Sequence, residues 1–206
     1  ENFLPYSNNL NGSDWSATRL FGKTTGHSGY DGSNDAWLVI PNSSNNTHYV
    51  NQVITSGNGV QTISVYAKAA GYDYFSIRDG SASDTYGRFD LATQTTSTDG
   101  SNAIESKMVS VGNDWYRCSL TLNRTAGGSN NLIFYVNNVY SNKPAYAGDE
   151  VSGVYFQDFQ LESGLVASSY LESTSVTGKA GVLVDLPRIN YDANGENGAL
   201  LLEPSR

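Results

Sequence analysis

The chain has 206 residues, a length that suits one well-cored domain and is short for two. Its formal net charge is -8 and no cluster of Lys and Arg stands out, so nucleic acid is not expected as a partner. The acidic balance also argues against anionic membranes, and no apolar run is long enough to insert into a bilayer.

Alternation of apolar and polar residues at a period of two recurs along the chain, whereas helical periodicity is nearly absent. The clearest predicted strands, in chain order, are residues 62–68, 74–78, 87–91, 115–122, 132–137 and 154–161. Clusters of Gly, Asn, Asp and Ser separate them, and these residues form turns at little steric cost. The pattern predicts an all-β fold, a two-sheet antiparallel sandwich or a barrel.

The alternation also sorts side chains into two faces, because successive residues of a strand point in opposite directions. The predicted core residues are Val65, Ala67, Phe75, Ile77, Phe89, Leu91, Cys118, Leu120, Leu122, Phe134 and Val136. Cys118, the single cysteine, lies on the same strand face as Leu120 and Leu122, so we interpret it as a small buried hydrophobic residue. Core packing is likewise favoured for Trp15, Trp37 and Trp115.

The outward-facing residues are rich in Tyr, Arg, Asn and Asp, which suit the hydroxyl groups and the apolar C–H faces of sugars. Solvated strand faces often have a similar composition, so both interpretations stay open. The candidate carbohydrate-binding residues are Tyr66, Tyr74, Arg78, Arg88, Arg117, Tyr135 and Asn137. They line one groove if their strands are neighbours in one sheet, which the sequence alone does not decide.

No catalytic constellation is evident, and we predict a protein that is not an enzyme. Single acids scattered through loops and strand ends are typically solvated, which argues against the facing carboxylate pair of a glycosidase. A sandwich-fold polysaccharide lyase, with a Tyr acid-base beside an Arg, is an alternative. His27 and His48 lack a second His or Cys at ligand spacing and are expected in loops or at strand edges.

The last residues differ in pattern from the rest. Two segments that contain apolar residues flank Asn194-Gly195, a pair typical of tight turns, and this pattern predicts a hairpin. Pro187 and Pro204 bracket this hairpin. We therefore divide the chain into a sandwich over residues 1–172 and a linker hairpin over residues 173–206, which connects to a following domain. The first residue is Glu1 instead of Met, as expected of a segment excised from a longer chain.

Several motifs together resemble modules of phage tail and marine bacterial surface proteins. The C-terminal connector and the sandwich that follows it in those proteins are matched by the segments Pro187-Arg188-Ile189-Asn190-Tyr191, Leu200-Leu201-Leu202-Glu203-Pro204, Asn2-Phe3-Leu4-Pro5, Trp115-Tyr116-Arg117-Cys118 and Phe159-Gln160-Leu161-Glu162. The resemblance spans nearly the whole chain. It implies neighbouring domains or repeats of the same chain, and an extracellular, secreted or virion-surface location.

The sandwich is in turn similar to jelly-roll carbohydrate-binding modules, of the concanavalin-like or galactose-binding-like type. This resemblance implies that the chain binds polysaccharide without catalysis. It also implies a calcium ion that ties the first loop to the last strand, with Asp158 as the matching ligand. The chain departs from the pattern because Ser7-Asn8-Asn9 stands where such modules commonly offer an acid. A structural spacer of a fibre or adhesin, without glycan binding, is the other hypothesis.

Overall fold

A computed structural model describes residues 1–80 and 84–178, together with the backbone of two short strands beyond them. The described residues form strands and turns, with no helix among them. The strands of the sandwich are β1 Trp15–Thr18, β2 Leu20–His27, β3 Ala36–Pro41, β4 His48–Ser56, β5 Gly59–Ala70, β6 Tyr74–Asp79, β7 Thr85–Asp90, β8 Thr95–Asp99, β9 Ala103–Gly112, β10 Trp115–Arg124, β11 Gly128–Asn137 and β12 Gly153–Ser163. No helix able to cross a membrane is found within this part of the chain.

These strands form two antiparallel sheets of six strands each. Sheet 1 has the order β1-β4-β11-β6-β7-β8, and sheet 2 has the order β2-β3-β12-β5-β10-β9. β4, β5 and β6, and again β11 and β12, each lie in the sheet opposite to their predecessor in the chain. Residues of both sheets pack in one core cluster between them, as in a jelly roll. The predicted two-sheet antiparallel sandwich is confirmed.

The core lies between the sheets and contains the residues that the alternation predicted. All eleven predicted core residues are buried, each at most 4% exposed. The three tryptophans are buried as well. Cys118 is fully buried in the same cluster, and burial raises the pKa of its thiol well above the ordinary value. Because the reactive form of a cysteine is the thiolate, the raised pKa argues against a nucleophilic role, and Cys118 packs as a hydrophobic residue.

One expectation about the histidines is wrong. His48 begins β4, which is an inner strand of sheet 1, and its side chain is fully buried. Its ring nitrogens lie 2.6 Å and 2.8 Å from the carbonyl oxygens of Arg19 and Tyr146. The two carbonyl contacts satisfy polar atoms that would otherwise make burial costly. His27 ends β2, an edge strand, as expected.

The N-terminal segment pairs with the chain that leaves β12. Asn2 forms backbone hydrogen bonds in both directions with Gly178, and the backbone nitrogens of Tyr6 and Ser7 donate to the carbonyl oxygens of residues 174 and 173. Residues 173–178, which the sequence pattern assigned to the linker, thus complete backbone hydrogen bonds with the N-terminal segment, which composition does not reveal. The division of the chain at residue 172 stays a prediction.

The predicted hairpin is present as a pair of short strands. β13, Arg188–Asn190, pairs antiparallel with β14, Ala199–Leu201. The Asn-Gly turn predicted between them lies outside the described residues. The role of this hairpin as a connector stays a prediction.

Candidate functional site

The structure divides the predicted carbohydrate-binding residues between two outer faces. Five of them lie on adjacent strands of sheet 1 and two on adjacent strands of sheet 2. The sheet 1 group is Tyr74 and Arg78 of β6, Arg88 of β7, and Tyr135 and Asn137 of β11. The sheet 2 group is Tyr66 of β5 and Arg117 of β10. The condition for one groove, that all these strands share a sheet, is therefore not met, because the two outer faces lie on opposite sides of the core.

On the outer face of sheet 1, the segment after β11 crosses the predicted residues. The Tyr140 ring lies 5.5 Å from the Arg88 guanidinium, and the Tyr140 hydroxyl donates to Ser97 at 3.0 Å. Asn137 Nδ2 donates to the carbonyl oxygen of Ser141 at 2.8 Å. Internal partners thus occupy several polar groups that were predicted to hold a sugar.

Two further predicted residues of sheet 1, Arg78 and Tyr135, are also held by neighbours. Arg78 forms an ion pair with Asp84. Its pKa is raised, because the opposing effect of burial is outweighed by hydrogen bonding to Asp84 and by nearby tyrosines. Tyr135 is only 4% exposed, and burial raises its pKa to about 12. Its ring packs edge-on against Tyr49 at 5.1 Å between centroids. Glycan binding by this face stays a prediction.

On the outer face of sheet 2, cross-strand register places three rows of side chains side by side. In the first row, Tyr66 of β5 is opposite Arg117 of β10, which is opposite Val109 of β9. The second and third rows follow in the same strand order, as Ser64, Ser119 and Lys107, then Thr62, Thr121 and Glu105. The rows end at β9, the edge strand of sheet 2, beside which β8 of sheet 1 lies, with Thr96 Oγ1 donating to the carbonyl oxygen of Ser106 at 3.0 Å.

A segment that follows β12 folds over these rows and forms a second wall. Thr62 Oγ1 donates to the carbonyl oxygen of Gly164 at 2.8 Å, and Thr121 Oγ1 donates to that of Leu165 at 3.4 Å. Farther along, Ser168 N donates to Glu162 Oε1 at 2.8 Å. These bonds fix the segment against the sheet and leave Leu165 and Val166 61% and 71% exposed.

Between the segment and β9 lies a cleft of about 300 Å³, which we call the Arg117 groove. Its lining residues are Tyr66, Glu105, Lys107, Val109, Val111, Arg117, Ser119, Thr121, Leu165, Val166 and Ala167. Apolar side chains therefore stand on both walls, with hydroxyl groups and a guanidinium between them. Mostly apolar walls with a few placed polar groups are typical of small-ligand sites.

Arg117 is positioned by aromatic rings. Its guanidinium lies 5.3 Å from the centroid of the Tyr66 ring, and the Tyr30 ring stacks on Tyr66 with centroids 3.5 Å apart and planes 4° apart. Arg117 Nη2 also donates to the carbonyl oxygen of Ser168. The Tyr66 ring is thereby occupied by protein groups, so it supports the guanidinium instead of offering its face to a sugar.

The loop that carries Tyr30 rests on a bulge in β12. At this bulge the register shifts between Gln157 and Gln160, and Asp158 takes the left-handed conformation with φ 58°. Tyr30 OH donates to Asp158 Oδ2 at 2.9 Å. Burial first, and then the nearby Asp35, Asp31 and Glu172 charges, raise the pKa of Asp158 to about 7, although the Tyr30 hydrogen bond opposes the shift.

The predicted calcium ligand is therefore a buried acid, and within the described chain it forms no ion pair with Lys or Arg. The ionised Asp158 carboxylate therefore lacks a compensating positive charge, which a bound cation would supply. The geometry is incomplete, because Gln157 Nε2 donates to the carboxylates of Asp31 and Asp35 at 3.1 Å and 2.7 Å. Among the described residues, no three His, Cys, Asp or Glu side chains are grouped to hold a metal ion. A calcium ion at Asp158 would need carbonyl oxygens as its other ligands.

Comparison with known proteins leaves the family open. No protein-family model and no curated protein match the chain. Solved structures do resemble it. TmCBM61 in complex with β-1,4-galactotriose matches with a TM-score of 0.47 and 9% identity, over 80% of this chain and 99% of that one. The enzymatically active domain of bacteriophage CBA120 tailspike protein 4 matches with a TM-score of 0.45 and 13% identity.

The tailspike match covers 78% of this chain and 21% of the other. A third similar structure is the CBM22-1 and GH10 portion of xylanase 10B from Clostridium thermocellum, complexed with xylohexaose. It has a TM-score of 0.40 and 14% identity, over 79% of this chain and 27% of that one. At such values a likeness carries no weight for function.

Sequence reasoning found Tyr66 and Arg117 and missed most of the groove around them. Glu105, Lys107, Val109 and Val111 are alternate residues of β9 and therefore point to the same face. Their mixed charged and apolar character gave only a weak strand pattern in the sequence. For Leu165 and Val166 no local signal existed, since their place depends on how the chain folds back after β12. Tyr30 was missed for the same reason.

Proposed function

We propose that the chain is a non-catalytic polysaccharide-binding module that holds its glycan in the Arg117 groove. The observation that carries the proposal is an open cleft in which a guanidinium and hydroxyl groups stand between two apolar walls. Pyranose rings combine apolar C–H faces with a rim of hydroxyls, so a glycan can satisfy both parts of such a lining. Val109 and Leu165 would contact C–H faces, and Ser119 would hydrogen-bond hydroxyls.

The shape of the groove supports a polymer as the ligand. Its lining on β9 runs from Glu105 to Val111, about 20 Å of strand, which is long enough for more than one sugar. Individual contacts to exposed valines and one hydroxyl are weak. Repetition of the module along a fibre or next to other domains would supply avidity. The connector resemblance of residues 186–206 supports a place in a larger extracellular or phage tail protein.

Affinity gel electrophoresis in a panel of soluble polysaccharides tests the proposal and locates the site. We expect at least one polymer to retard the protein, and Ser119→Trp, which fills the groove, to abolish that retardation. Two substitutions on sheet 1, Tyr74→Ala and Arg78→Ala, serve as the comparison. Thermal unfolding of every variant confirms that the sandwich is intact.

Three outcomes count against the proposal in different ways. Retardation lost only with Tyr74→Ala and Arg78→Ala would move the site to sheet 1. No retardation by any polymer would favour the structural spacer. New reducing ends, or ultraviolet absorbance from unsaturated sugars, would favour a hydrolase or a lyase.

A further inference from the structure

We propose that the glycan held in the Arg117 groove is an acidic one, a polymer with a carboxylate on its repeating sugar, and that Arg117 selects it. This inference rests on the proposed function, because it names the ligand class of the same groove.

Within the described chain, Arg117 is not neutralised by any carboxylate. Arg78 and Arg124, by contrast, form ion pairs with Asp84 and Asp79. Arg117 donates through Nη2 alone, to the carbonyl oxygen of Ser168 and, at 3.4 Å, to Ser64 Oγ. Its Nε is buried and has no acceptor. A guanidinium has five N–H donors in a planar fork, so most of them lack a protein acceptor here.

The arrangement favours an anion over a neutral hydroxyl. Hydrogen bonds between a guanidinium and a carboxylate are shorter and roughly twice as strong as neutral ones. The Tyr66 ring and the Ser168 carbonyl hold the guanidinium in place before any ligand arrives. Little side-chain entropy is therefore lost on binding, which increases affinity.

The charges along the groove have an order that suits this ligand. Lys107 lies one row from Arg117, and Glu105 lies two rows away. Successive outward residues of a strand are about 7 Å apart, so Glu105 is about 13 Å along β9 from the row of Arg117. Glu105 lines the same groove, so its carboxylate repels the far end of a bound polymer more than the sugar at Arg117. Salt limits repulsion by the overall charge of -8, because the Debye length is about 8 Å at physiological salt.

The test compares two ligands that differ in one group. An oligomer of galacturonic acid carries the carboxylates, and the same oligomer after carboxyl reduction is neutral. Isothermal titration measures both against wild-type protein and against Arg117→Gln and Arg117→Lys. Lys143→Gln removes one exposed cation on the opposite side of the sandwich and is the matched charge control.

We expect the acidic oligomer to bind wild type about tenfold more tightly than the reduced one, with an affinity that falls as salt rises. Arg117→Gln should remove this preference, so that the variant binds the two oligomers with equal affinity. Arg117→Lys should retain only part of the preference, because a point charge lacks the planar fork. Lys143→Gln should bind as wild type does.

Equal affinity for the two oligomers would overturn the inference and leave the proposed function standing. The same holds if Arg117→Gln weakens both ligands equally, since Arg117 would then shape the groove without selecting charge. A preference that survives Arg117→Gln and disappears in Lys143→Gln would also overturn it. Binding of neither oligomer, together with retardation by a neutral polymer in gels, would show a neutral ligand.

Discussion

Arg124 of β10 and Asp79 of β6 form a fully buried ion pair that joins one sheet to the other. Arg124 Nη2 lies 2.6 Å from Asp79 Oδ2, and both side chains have no exposed surface. Arg124 Nε donates to the same oxygen at 2.7 Å, and Nη1 donates to Ser56 of β4. A buried charge is tolerated only when paired, so the two residues depend on each other.

Removing one member of this pair should therefore destabilise the fold strongly. We expect Asp79→Ala to lower the free energy of unfolding by about 3–5 kcal/mol, because it leaves the Arg124 charge buried and uncompensated. The double variant Asp79→Leu with Arg124→Met removes both charges and should recover most of the loss. Urea unfolding measures both. If Asp79→Ala were as stable as wild type, the buried pair would not be the source of stability.

Asn2 should be a second point of stability, although it lies next to the chain start. Its fully buried amide donates to the carbonyl oxygens of Phe159 and Leu171, and its Oδ1 accepts from the backbone nitrogens of Leu4 and Leu161. Asn2→Ala leaves these four groups without partners and should cost about 3 kcal/mol.

Two further variants sharpen the Asn2 prediction. Asn2→Asp should be worse than Asn2→Ala, because it turns an oxygen toward two carbonyl oxygens. Asn45→Ala, at an exposed position, should leave the urea midpoint unchanged and serves as the control. An equal fall of the urea midpoint in the Asn2 and Asn45 variants would show that the four hydrogen bonds of the Asn2 side chain add no particular stability.

Asp158 should make stability fall as pH rises, in calcium-free buffer containing EDTA. Its pKa in the folded state is about 7, above the ordinary value near 3.8 that applies when unfolded. The folded state therefore keeps a proton that the unfolded state loses. The stability that this bound proton contributes is fully present below about pH 4 and is lost as pH rises through about 7. Asp158→Asn should gain stability relative to wild type across that window, as measured by unfolding at several pH values.

A constant difference between Asp158→Asn and wild type across the same window would contradict the raised pKa. Glu105→Gln changes an exposed acid of sheet 2 and should show no such pH-dependent difference. It therefore separates the effect of burial from the loss of one negative charge.

Calcium provides an independent test of Asp158. If the ion binds there, calcium at about a hundred times its Kd stabilises the fold by about 2.7 kcal/mol, which raises Tm by several degrees. The rise should be absent in Asp158→Asn and with magnesium, which demands stricter geometry. Differential scanning calorimetry measures it. An equal rise in wild type and Asp158→Asn would place the ion elsewhere, and no rise would remove the predicted site.

Much of the fold followed from local pattern. Period-two alternation identified the strands and assigned Phe75, Leu120 and Phe134 to the core, because parity within a strand is a property of the backbone itself. It did not reveal β9, whose mixed residues gave a weaker pattern, nor the backbone pairing of residues 173–178. Those features depend on what lies beside them in space.

The sequence by itself determined which side chains point inward and which point outward, since that choice is local. Only the tertiary structure decided which outward residues meet. Arg88 and Arg117 are both outward strand residues, yet they lie on opposite sides of the molecule because β7 and β10 belong to different sheets. Sheet membership is set by pairing between strands far apart in the chain. The same long-range pairing brought Tyr30 onto Tyr66 and left Arg117 facing an open groove.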